Sequence, residues 1–109
     1  MKYIKKFELN TNIPEIGDYI LTVYDIKNDR NTSINQLKKF IDNTIGIVVD
    51  DLEFGVHNNY VRVKYENIPE NIKNFFIDDR KRFNIVSIVD YDKDLETLKY
   101  KIEANKFNI

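Results

Sequence analysis

Period-two alternation of apolar and polar residues dominates the middle of the chain. From Ile45 to Tyr65, Ile45, Ile47 and Val49 alternate with Gly46, Val48 and Asp50; after a polar turn, Val61, Val63 and Tyr65 alternate with Tyr60, Arg62 and Lys64. Such alternation of β-branched and aromatic residues marks strands with one buried face. Asn58-Asn59 suits the positive φ that tight hairpin turns require. The pattern therefore predicts a central β-hairpin, with Val61 and Val63 buried and Arg62 and Lys64 facing solvent.

Elsewhere the periodicity changes with position. Met1–Leu9 reads as an edge strand carrying Tyr3, Phe7 and Leu9 on one face, and Pro14 bars a central strand in the turn that follows. Tyr19–Tyr24 is the richest β run, and Asp25–Thr32 is a polar loop. Ser33 and Gln36 fit a capping box ahead of a helix whose stripe is Ile34, Leu37, Phe40 and Ile41. Pro69 can open a short helical turn to about Phe76 that buries Ile68, Ile72 and Phe75 or Phe76. Asp78–Arg82 is a charged loop, and Phe83–Val89 is the last strand, with Phe83, Ile85 and Val89 on one face. Asp92 can cap a final helix over about 92–105 with the stripe Tyr91, Leu95, Leu98 and Ile102, while Asp94 and Glu96 favour its dipole. The tail holds Phe107 and Ile109. One domain spanning 1–109 is expected, with a β core over about 16–89.

Composition narrows the class. The 109 residues carry 17 Lys plus Arg against 18 Asp plus Glu, a net charge of −1, so attraction to nucleic acid or an anionic membrane has to come from a local patch. With no Cys there is no disulfide framework and no thiolate site. No apolar run approaches a membrane span, and MKYIKKFELN lacks the apolar core of a signal peptide, so the expectation is a cytoplasmic protein without membrane partners. Sixteen Ile, 14 Asn and 13 Lys against one Ala point to an A/T-rich genome, such as that of a low-GC bacterium or its phage.

Short strands with helical insertions suggest an α+β domain on a small, strongly bent β-barrel. Gly17-Asp18-Tyr19-Ile20, Ile45-Gly46-Ile47-Val48 and Tyr60-Val61-Arg62-Val63 resemble the strand pattern of SH3-like barrels of the KOW and Tudor kind over roughly Ile16–Val89. The helix from Ser33 to Thr44 departs from the minimal barrel. VKYENIP at 63–69 and ANKFNI at 104–109 resemble small uncharacterised phage proteins, which implies a mobile-element origin, and a host-cell cytoplasmic location in that case.

Candidate chemistries are few. Asp90, Asp92 and Asp94 occupy the first, third and fifth positions of an EF-hand-like loop, but Leu95 replaces the turn Gly and Lys101 the bidentate Glu, so a strand end leading into a capped helix is the expected role. Asp50, Asp51 and Glu53 read as solvated hairpin acids. His57, the single His, has no nucleophile or orienting partner in view and reads as a turn residue. The three Gly are too scattered to cradle phosphate. No catalytic residue, metal or cofactor is expected. The positive signal is basic and aromatic: Tyr60, Arg62 and Lys64 on one strand face, and Arg80, Lys81 and Arg82 in a nearby loop. Seven Tyr exceed what a small core can hold, and exposed Tyr favours an interface. The leading expectation is a non-enzymatic module that binds a host protein, as a phage-encoded inhibitor of a defence or regulatory system. The alternatives are a nucleic-acid-binding module using those six residues, and a small-ligand binder or enzyme with a carboxylate-based site.

Overall fold

The computed structural model describes residues 14–24, 32–54 and 59–106, apart from the side chains of 50–54, 59 and 106. The expected edge strand Met1–Leu9, residues 25–31, the turn residues His57 and Asn58, and the tail with Phe107 and Ile109 lie outside the described residues, as do the side chains of Asp50, Asp51 and Glu53.

Five strands, β1 (Tyr19–Thr22), β2 (Gly46–Phe54), β3 (Asn59–Lys64), β4 (Arg80–Asn84) and β5 (Ile88–Asp92), form one antiparallel sheet in the order β4-β3-β2-β1-β5. Helices α1 (Thr32–Asp42) and α2 (Leu95–Lys106) and 3₁₀ helices at Glu70–Phe75 and Ile85–Ser87 complete an α+β fold. No helix among the described residues is long and apolar enough to cross a membrane.

The order of the strands dictates their curvature. β4 and β5 lie at opposite edges, yet only the 3₁₀ helix Ile85–Ser87 joins them. Four gaps of about 4.8 Å would hold the edges of a flat sheet roughly 19 Å apart. The step from Asn84 to Ile88, even fully extended, spans about 14 Å. The sheet therefore bends. β2 carries a register shift between Val48 and Asp50, the kind of bulge that sharpens twist. Val23 N–H donates to Ser87 O at 2.9 Å and ties the β4–β5 connection to the end of β1. The two edges do not pair, so the sheet is bent but not closed into a barrel.

The core lies on the inner face of this bend. Ile20, Val48, Val61, Val63, Tyr65 and Phe83 meet Leu37 and Ile41 of α1 and Ile68, Ile72 and Phe76 around the first 3₁₀ helix. β3 places Val61, Val63 and Tyr65 inward, as the alternation predicts; on β2 the inward set is Gly46 and Val48, not the longer apolar set Ile45, Ile47 and Val49. Gly46 is required by close approach. A Cβ there would stand 2.4 Å from Val63 Cγ1 and 3.0 Å from the Tyr65 ring. That ring fills the space, with the rings of Phe40, Phe76 and Phe83 edge-on at 5.6, 5.8 and 6.3 Å. Its hydroxyl lies 3.1 Å from Thr22 Oγ1, both groups being buried. Asp42 of α1 accepts from Tyr24 N at 2.9 Å while Lys38 donates to Tyr24 O at 2.9 Å, which fastens the helix to the chain leaving β1.

Four assignments differ from the sequence reading. Asp78–Arg82 is not a loop. Ile77 and Arg80 exchange backbone hydrogen bonds around Asp78 and Asp79, whose φ of 54° and 65° define a type I′ turn, and Arg80–Arg82 already belong to β4. The expected strand Phe83–Val89 is two strands broken by a 3₁₀ helix, so Phe83 is buried whereas Val89 is exposed. Asp94, rather than Asp92, caps α2, accepting from Thr97 N at 2.8 Å. α1 begins at Thr32, which puts Ser33 inside the first turn rather than ahead of it.

Candidate functional site

Antiparallel register brings the basic residues of β3 and β4 together. Arg62 stands opposite Arg82, Lys64 opposite Arg80, and Tyr60 opposite Asn84. Directly opposed residues share a face of the sheet. Val61 and Val63 between them point into the core, so Tyr60, Arg62, Lys64, Arg80 and Arg82 lie on the outer face. Successive outward residues on one strand are roughly 6.8 Å apart. The Arg82 guanidinium lies 4.9 Å from the Tyr60 ring centroid, a cation–π contact that fixes both side chains.

Lys81 departs from this group. It is opposite Val63 and therefore belongs to the inner face. Its ammonium sits 5.1 Å from the Tyr24 ring centroid, and partial burial pushes its pKa down.

Lys38, Lys93, Lys99 and Lys101 each pair with carboxylates: Lys38 with Asp42 at 2.8 Å, Lys93 with Glu15 and with Asp18 at 3.4 Å, Lys99 with Glu96 at 3.8 Å, and Lys101 with both Asp90 and Asp92 at 3.2 Å. Lys64, Arg80 and Arg82 make no ion pair among the described residues. Asp50 is the register neighbour of Arg62 on β2. Arg80 also holds a buried Nε without a hydrogen-bond partner.

Two grooves flank the basic face. One, of about 500 Å³, wraps the β4 edge and is lined by Arg62, Phe75, Ile77, Asp78, Arg80, Lys81 and Arg82, and Ile77 there is 80% exposed. The other, of about 570 Å³, runs between α2 and the outer face of β1–β3. Tyr19, Ile47 and Lys64 line it from the sheet, and Leu95 and Lys99 from α2. Lys64 thus belongs to both the basic face and this second groove.

Of the acidic residues singled out in the sequence, Asp90, Asp92 and Asp94 have structural roles. Asp92 accepts from Asp94 N at 2.9 Å, and Asp94 caps α2. Among the described residues no three His, Cys, Asp or Glu side chains come together as metal ligands. The second groove was not signalled by the sequence, because Tyr19, Ile47 and Lys64 sit on three different strands and meet only through the register. Comparison of the chain with protein families, characterised proteins and solved structures finds no match.

Proposed function

We propose that the protein is a binding module on an SH3-like, strongly bent sheet, and that its β3–β4 face holds the phosphate backbone of a nucleic-acid strand. The strand order supports the fold reading: the last strand lies beside the first, and the two edges are joined by a single 3₁₀ helix. One observation carries the functional reading. Lys64, Arg80 and Arg82 share a face and lack carboxylate partners among the described residues, whereas Lys99 and Lys101 of α2 pair with Glu96 and with Asp90 and Asp92. A chain of net charge −1 thereby sets three unneutralised cations side by side on one face, and such a local patch attracts a polyanion. A second reading, a host-protein partner engaged by a phage-encoded inhibitor, is favoured by Ile77, whose exposed side chain lies beside the same guanidinium groups.

Fluorescence anisotropy with a labelled oligonucleotide, titrated at several salt concentrations, separates the two. Three phosphate contacts, at Lys64, Arg80 and Arg82, release counterions and give a log–log slope of about −2.1 for a single strand. Arg80→Gln with Arg82→Gln is expected to cut that slope to about −0.7. A slope near zero, or equal affinity for polyglutamate, would transfer the face to a protein partner.

A further inference from the structure

From the row of residues that crosses the sheet, we infer that the groove between α2 and the sheet seats an unpaired nucleobase, so that the strand held by the basic face is single rather than duplex. The inference rests on the nucleic-acid reading of that face. Tyr19, Ile47, Lys64 and Arg80 are successive cross-strand partners on β1, β2, β3 and β4, and they form one continuous row on the outer face. The row changes character along its length. Arg80 and Lys64 are cationic, Ile47 is aliphatic and Tyr19 is aromatic.

A single strand has the same sequence of chemistries, from anionic phosphate to flat apolar base. Phosphates at Arg80 and Lys64 place the next base over Ile47 and toward the Tyr19 ring, with Leu95 of α2 as the opposite wall. At about 570 Å³ the groove falls within the range that holds a small organic ligand. Glu66 lines the same groove and is exposed. Its carboxylate opposes a phosphate there but accepts hydrogen bonds from an exocyclic amino group, the way carboxylates read cytosine. Phosphate is thus directed to Lys64 and Arg80, while the Glu66 carboxylate, two residues along the chain from Lys64 in the same groove, is left to accept from the amino group of a base. A duplex cannot use the groove, since its bases are stacked and paired.

The test compares three probes of equal length at one salt concentration: single-stranded oligo-dC, an abasic deoxyribose-phosphate oligomer, and a duplex. Oligo-dC is expected to bind about tenfold more tightly than the abasic oligomer, the size of one base–aromatic stack. Tyr19→Ala should remove that difference and leave abasic binding unchanged. In the unaltered protein, amide and methyl NMR signals of Tyr19, Ile47 and Leu95 should shift with oligo-dC and stay in place with the abasic oligomer, a readout that needs no variant to fold. Equal affinity for oligo-dC and the abasic oligomer, with those signals unmoved by both, would overturn the base seat while leaving the phosphate reading intact. Tighter binding of the duplex would overturn the base seat too. Failure of all three probes to bind would overturn both readings.

Discussion

Removing the Tyr65 hydroxyl isolates one buried polar contact from the packing around it. Tyr65→Phe keeps the ring and its edge-on neighbours Phe40, Phe76 and Phe83. It leaves Thr22 Oγ1, on a residue with 0% exposure, without the partner it holds at 3.1 Å. A buried hydroxyl deprived of its partner costs about 1–3 kcal/mol, and Thr22→Val should cost a similar amount by stranding the Tyr65 hydroxyl. The double variant removes both polar groups and substitutes apolar atoms of like shape, so its cost should fall to under about 1 kcal/mol. Urea melts of the four proteins, with a common m-value, measure the cycle. Costs that simply add would show that the two hydroxyls do not depend on each other. The same pair sets an alkaline limit. Burial raises the Tyr65 pKa above that of an ordinary phenol. A phenol kept protonated in the folded state stabilises fully below its unfolded pKa, and that contribution is lost as pH rises through the unfolded value toward the folded one. Tyr65→Phe should therefore flatten the decline of stability above about pH 10.

Three further outcomes follow from the same geometry. Gly46→Ala should cost about 1–3 kcal/mol or more in thermal melts, because its Cβ meets Val63 and Tyr65 side chains that the core holds in place; a neutral result would mean that β2 can shift its register. Asp79→Gly should stabilise by about 0.5 kcal/mol, since the type I′ turn prefers Gly at its second central position and Asp79 carries a φ of 65°, and a loss of stability would show that the Asp79 side chain anchors the turn. Arg80→Glu with Arg82→Glu should abolish oligonucleotide binding while leaving stability within about 1 kcal/mol of the parent or above it, because like charges opposed across a ladder destabilise it.

The parts of the fold written in local pattern were legible in the sequence. The inward set of β3, the α1 stripe and the burial of Ile68, Ile72 and Phe76 each follow from spacing within one segment. β4 was not legible, because its turn uses Asp78-Asp79 where an Asn-Gly or Asp-Gly pair would have signalled a hairpin, and because Arg80-Lys81-Arg82 has no apolar alternation. The sequence named the basic residues of the site but not their arrangement. Which of them share a face depends on the register of β4 against β3, and that register turns Lys81 inward while aligning Arg62 with Arg82. The groove beside α2 depends in turn on where the last helix packs, which no local spacing encodes.

Edge protection competes with binding as the reason for these charges, and the two make different demands on the sheet. β4 is an edge strand, and charged side chains on an edge discourage pairing with another chain. That accounts for Arg80 and Arg82 but not for Arg62 and Lys64, because β3 lies between β4 and β2 and has no free edge. Nor does it account for the sign. Protection works with either charge, and carboxylates on β4 would have paired with Arg62 and Lys64 across the ladder. The fold instead sets two cations against two cations, a local cost of about 0.2–1 kcal/mol for each opposed pair. An arrangement that costs stability, spans an interior strand and keeps one sign fits the anionic partner we propose, and under that proposal the charge-reversal variant is expected to lose its ligand without losing its fold.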